Sequence, residues 1–257
     1  MSSLPSMTRI PVRLEHDAIA DCVIEVRFCP TSGSTSDLLP GLLYREFKAD
    51  YPEIAKTAEA QLPKQVREIN QALKAAPIVL LKGARGHVGI ADEAIQLRYS
   101  RPYPGWPVIK LQAQKLFKAL LDTGLIKELS RVSALYTNVL TAGRDQFDLT
   151  SLEVGLSLPG DLARRGPGTS IRFEVEGETS ISVVQIQTGA TAVFNQGSAH
   201  EEKLTGLMLR IDTISTEKID DLNALMLSLE HVHSDEKRVF FSLLTDGTTK
   251  ALGPIWS

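Results

Sequence analysis

Cys22-Val23-Ile24-Glu25-Val26-Arg27-Phe28 decides the fold. Cys22, Ile24, Val26 and Phe28 fall on one side, with Val23, Glu25 and Arg27 on the other. A period of two marks a half-buried β-strand. Before it, residues 1–16 lack the apolar run of a signal peptide and read as a loose amino-terminal arm. After it, Thr31 to Asp37 reads as a polar loop. Leu43, Phe47, Tyr51 and Ile54 then predict a helix over 42–60, which Pro52 is placed to kink or split. A shorter helix is predicted over 65–75. Strands follow over 77–82 and 94–99, joined across Gly83, Gly86 and Gly89 as a loose, mobile hairpin. Ile109, Ala113, Leu116, Phe117 and Leu120 predict a helix over 108–123, with Gly124 just past its end where a C-terminal glycine belongs. Val132, Ala134, Tyr136, Asn138 and Leu140 alternate in a strand over 131–141. The order β-α-β-β-α-β is that of a ferredoxin-like unit.

Glycine, proline and arginine crowd residues 142–168, where a short helix near 152–162 and a domain boundary at about 145–168 are expected. Three strands follow, over 170–176, 180–188 and 204–214. The longest helix is predicted over 219–244, with Leu222, Leu225, Leu229, Glu236, Phe240 and Leu243 on one stripe. The predicted class is α+β: an arm over 1–16, a ferredoxin-like domain over 17–145, and a smaller βββα unit over 146–257 ending in a long helix.

The chain has 257 residues, 43% hydrophobic and 23% charged, which is globular composition and suits one or two domains. Its 31 acids against 28 bases give a net charge of −3, so no global field draws it to nucleic acid or to an anionic membrane. No apolar run approaches the ~20 residues that a bilayer requires. The two cysteines, Cys22 and Cys29, sit an odd number of residues apart on one strand. They point to opposite faces, too far apart to bond or to share a metal, and suit a reducing cytoplasm.

No sequence constellation specifies a reaction. Gly83-Ala84-Arg85-Gly86-His87-Val88-Gly89 lacks the Lys-Ser/Thr ending of a phosphate loop and leads into a strand. His231 and His233 are two apart, not the four that puts two ligands on one helical face, so His233 reads as a core or interface histidine. His200-Glu201-Glu202 and His16-Asp17 read as solvated clusters. No metal and no cofactor is expected. The richest segment is Arg98-Tyr99-Ser100-Arg101-Pro102-Tyr103-Pro104-Gly105-Trp106, where arginines alternate with aromatics that can stack on a base or grip a carboxylate. Read blandly, it is a proline-stiffened connection whose Tyr103 and Trp106 staple the next helix. Read functionally, Arg98, Arg101, Tyr103 and Trp106 form a binding surface with Arg27 as neighbour. Glu25, Arg27, Gln96 and Arg98 fall on the sheet face away from the helices. Arg172, Glu174, Arg210 and Asp212 alternate similarly in the second half. Cross-strand ion pairs are favoured there over a ligand cleft between facing sheets.

Taken in order, these segments resemble the sporadically distributed bacterial and archaeal family of uncharacterised proteins of about this length. The matching pieces are Ile24 to Phe28, Arg98 to Trp106, the Arg131 to Leu140 strand with Tyr136-x-Asn138, and Leu209-Arg210-Ile211-Asp212. The last is the carboxyl-terminal pattern of His233, Phe240 or Phe241, and Thr245. Leu135 stands where the family usually has arginine, Pro107 where it has glutamate, and Arg210 in place of an acid. The resemblance implies a full-length cytoplasmic protein and no particular activity. By analogy alone, its patchy distribution is that of defence and toxin–antitoxin genes.

The expectation is therefore a non-enzymatic protein-binding factor, an antitoxin, immunity or phage-defence component. Its partner is a protein, a second copy of the chain included. The alternative is a nucleic-acid-binding or RNA-processing protein, which the net charge does not favour. A small-molecule enzyme is compatible with the architecture but supported by no motif.

Overall fold

A computed structural model describes residues 10–33, 35–141, 147–155, 168–195 and 201–256. Its elements run β1 (Arg13–Leu14), β2 (Ile19–Pro30), α1 (Thr35–Phe47), β3 (Glu53–Lys56), α2 (Lys64–Glu68), α3 (Gln71–Ala75), β4 (Val79–Lys82), β5 (Gly86–Ile90), β6 (Ala94–Ser100), α4 (Trp106–Asp122), β7 (Ile126–Leu140), β8 (Ser170–Glu176), β9 (Ser180–Asn195), β10 (Glu201–Ser215), α5 (Leu222–Leu243), α6 (Asp246–Ala251) and β11 (Pro254–Ile255). The fold is α+β. Nine strands form one sheet in the order β3-β4-β5-β6-β2-β7-β10-β9-β8, with every neighbouring pair antiparallel.

The strand that opened the reading lies near the middle. Cys22, Ile24, Val26 and Phe28 are buried on one side, together with Ile95 and Leu97 of β6 and Val132 and Ala134 of β7. Helices α1, α4 and α5 cover that side and share its core. The far end of α5 packs on β9 and β10 through Phe240, Leu243, Val184, Ile186 and Leu209. Among the described residues, the other side of the sheet carries no such layer at its centre. Only the segment around α3 folds over one flank, where Gln96 Nε2 donates to the Ala75 carbonyl at 3.4 Å.

The portions 17–145 and 146–257 share this sheet, because β7 and β10 pair from Leu140 opposite Leu207 to Ser133 opposite Ile214. Most of the boundary expected at about 145–168 lies outside the described residues, as do the 1–9 portion of the expected arm and His200. Within the boundary, a 3₁₀ turn at Leu149–Ser151 leads to a bridge between Leu152 and Leu244. Residues 12–16 are tied to the carboxyl-terminal end. Arg13 and Leu14 pair with Ile255 and Pro254, and Glu15 N donates to the Gly253 carbonyl at 2.8 Å.

Three local readings need correction. The helix expected over 42–60 ends at Phe47, and Glu53–Lys56 is an edge strand paired with β4. Pro52 has no amide to continue the helix, and Tyr51, 4% exposed, is drawn into the core instead. The helix expected over 65–75 is two short ones, the second capped by Asn70, whose side chain accepts from Ala72 N at 2.9 Å. The glycine run is no loose hairpin: Gly86–Ile90 is a paired strand. A Cβ at Gly86 would run into the Arg98 carbonyl, and one at Gly89 would meet the Pro77 ring at 2.8 Å. These glycines permit close packing.

Candidate functional site

The five residues singled out from the sequence divide between the two sides of the sheet. Arg27 and Arg98 stand on the side opposite α1, α4 and α5. Tyr103 and Trp106 stand on the helical side. Arg101 sits beside the amino-terminal segment, its Nη1 donating to the Asp17 carbonyl at 3.4 Å. Neighbours in sequence are separated here because the chain passes from β6 across the sheet end into α4.

On the open side, strands β6, β2, β7 and β10 frame a groove of about 430 Å³. Alternation puts Asp21, Glu25 and Arg27 of β2, Gln96 and Arg98 of β6, Arg131 of β7, and Arg210 and Asp212 of β10 into it. Glu25 accepts from Arg27 Nε at 2.7 Å and from Gln96 Nε2 at 2.7 Å. Asp21 accepts from Arg98 Nε at 2.8 Å. Arg131 is more loosely held, 3.8 Å from Glu25 and 3.9 Å from Asp212. Burial, then the charge of Arg27, lowers the pKa of the Arg131 guanidinium, and burial raises that of the Asp212 carboxyl. Arg131 Nε and Asp212 Oδ1 are buried without a hydrogen-bond partner. The favoured ion pairs are present, on one continuous sheet rather than two facing ones. Of the positions that depart from the resemblance, Leu135 and Arg210 both line this groove.

On the helical side, Gly105 caps α4 with φ of 91°, a conformation that favours glycine, and so starts the helix at Trp106. The Trp106 indole stacks on His233 of α5, with centroids 3.8 Å apart and planes 12° apart. Its Nε1 donates to the Glu230 carboxylate at 3.2 and 3.3 Å, and Glu230 also pairs with Lys110. The buried Tyr136 hydroxyl lies 3.2 Å from His233 Nδ1 and 3.3 Å from the Tyr103 hydroxyl. Burial pushes the His233 pKa down to about 4, so the ring is neutral at pH 7. His231 lies apart from His233, against Glu217 at 3.1 Å. Among the described residues, no group of three or more His, Cys, Asp or Glu is placed to hold a metal ion. No described helix is long and apolar enough to cross a membrane.

This aromatic cluster forms one wall of a cavity of about 680 Å³ beneath residues 12–19. Glu236 of α5 and Asn138 of β7, which also line it, were read from the sequence as stripe and strand residues and not as site residues. Glu236 left a visible signal: it is the one acid on the apolar stripe of its helix, four residues before Phe240. Asn138 left only its place on an alternating strand and in the Tyr136-x-Asn138 match.

No protein-family model matches this chain, and no curated protein matches it in sequence.

Proposed function

We propose that this chain is a non-enzymatic binding protein that docks a protein partner in the groove of its open sheet face. It acts in the cytoplasm as an antitoxin, immunity or phage-defence component and belongs to the sporadically distributed family that its motifs resemble. The observation that carries the reading is the groove's interleaved charge. Arg27, Arg98, Arg131 and Arg210 alternate with Asp21, Glu25 and Asp212 in one concave surface. Arg131 Nε there still lacks an acceptor and Asp212 Oδ1 a donor. A polar protein segment carries both signs and both hydrogen-bond roles. A phosphate backbone carries one sign only, and would bring it against three carboxylates.

The ferredoxin-like reading of the first unit is part of this proposal. Neighbours β7-β2-β6-β5 follow the 4-1-3-2 order of that unit, with α1 and α4 on one side. Leu135 and Arg210, the two groove positions that depart from the family's pattern, lie on adjacent strands, Leu135 opposite Asp212 and Arg210 opposite Thr137. An apolar residue at 135 and an arginine at 210 change the charge pattern that the groove offers, which would alter partner choice and leave the fold intact.

The test is site-specific photo-crosslinking in the native host. Benzoylphenylalanine at Thr137, inside the groove, is expected to crosslink one defined protein. The same probe at exposed Leu111 on α4 is not, and Arg210→Glu is expected to abolish the product. A nuclease-sensitive product at Thr137, or identical products at both positions, overturns the proposal.

A further inference from the structure

We propose that the cavity on the helical side is a binding site for a small organic ammonium ion, with the Glu236 carboxylate as counter-ion and Asn138 Nδ2 as donor to an acceptor on the same molecule. The two side chains are 5% and 2% exposed and both line the cavity. Asn138 Nδ2 has no hydrogen-bond partner. The Glu236 carboxyl makes no hydrogen bond or ion pair with any described residue. Native interiors rarely leave a buried donor such as Asn138 Nδ2 unmatched, and with the Glu236 carboxyl unpaired in the same cavity the two call for a molecule that matches both.

The remaining walls fix the chemical class. Trp106, Tyr103, Tyr136 and Phe240 supply aromatic surface, which suits an apolar body and attracts a cation to the ring faces. The volume of about 680 Å³ accommodates a molecule of amino-acid or aromatic-amine size. The charged and titratable neighbours of Glu236 do not neutralise it. His233, on the same helix, is neutral. Lys237 lines the cavity with its Nζ donating to the Val12 carbonyl at 3.1 Å. Cys22 of β2, Tyr136 of β7 and Tyr103 carry protonated groups, their pKa values raised chiefly by burial. Asp17 and Arg13, on the amino-terminal segment, line the cavity too. Burial raises the Glu236 pKa to about 8, so the carboxyl is protonated at pH 7 when no cation faces it. An entering ammonium ion restores the carboxylate and expels that proton to solvent.

Three ligands of one shape test this by titration calorimetry: phenylalaninamide, with ammonium and carbonyl; phenethylamine, with ammonium alone; and 3-phenylpropanamide, with carbonyl alone. Phenylalaninamide is expected to bind tightest and 3-phenylpropanamide at least tenfold more weakly. Between pH 6.5 and 7.5 the binding enthalpy of the amines is expected to change with the ionisation heat of the buffer, as one released proton requires. Glu236→Gln is expected to weaken amine binding at least tenfold and to abolish the buffer dependence. The wild-type comparison and the proton release need no variant, so a misfolded mutant does not shelter the proposal. Equal binding of amine and amide, no proton release, or no binding of any of the three at millimolar concentration overturns it.

Discussion

Glu25 and Glu236 are carboxylates on opposite sides of one sheet, and they live under opposite rules. Glu25 accepts from Arg27 and Gln96 at 2.7 Å each and has Arg131 at 3.8 Å. Glu236 is more deeply buried and has none of this. The open side has largely settled its charges internally, so what it offers a partner is a standing pattern with two loose ends. The helical side keeps its polar capacity uncommitted, within a cavity whose aromatic walls are already fixed by stacking and hydrogen bonds. A charge pattern on a groove suits a macromolecular surface, and an aromatic-walled cavity suits a small molecule.

The sharpest way to break this contrast is the pH dependence of stability. The native pKa of Glu236, about 8, lies above that of an unfolded carboxyl. The folded chain therefore keeps a proton that the unfolded chain releases. The stability this contributes is complete below the unfolded pKa and is lost as pH rises through about 8. Glu236→Gln is expected to stabilise the protein by roughly 3–5 kcal/mol at pH 9 and hardly at all at pH 4, read by denaturant melts.

Trp106→Ala should cost about 2–3 kcal/mol, because a half-buried ring and its stack on His233 are removed. His233 gives the opposite pH limb. Its pKa is lowered to about 4, so its contribution is full above the unfolded histidine value and is lost as pH falls toward 4. Wild type should lose about 2 kcal/mol between pH 7 and pH 4 through this residue, and His233→Asn should remove that part of the slope. The smallest effect belongs to the open side. Arg98, 44% exposed, is expected to cost at most ~1 kcal/mol when changed to alanine. A larger loss from Arg98→Ala than from Trp106→Ala would erase the distinction between the two sides.

Elements with a clear period were legible. The alternation at 22–28 and the apolar spacing from Ile109 to Leu120 each report a local face, and each appears within a few residues of its expected place. The joining of β7 to β10 was not legible, because strand alternation names an inward face but not the neighbour across the ladder. β3 was missed for the same reason that the helix over 42–60 was overextended: Ile54 continues a helical spacing that Pro52 has already ended. For the candidate site, Arg27 and Arg98 were readable as outward-facing charges. Tyr103 and Trp106 were readable either as staples of the next helix or as a surface with arginine, and contact with His233 and Tyr136 decides which side they face.

The pairing of β1 with β11 sets an order of assembly. One wall of the cavity is residues 12–19, and those residues are fastened by strand partners at 254 and 255. A ribosome adding about 5–20 residues per second needs tens of seconds to travel from one to the other. Through that interval the central strands can form and bury their inward side chains, while the amino-terminal segment waits unfastened. The cavity is thus the last compartment to be closed, and a chain released before residue 254 would carry a sheet and an open face but no finished pocket.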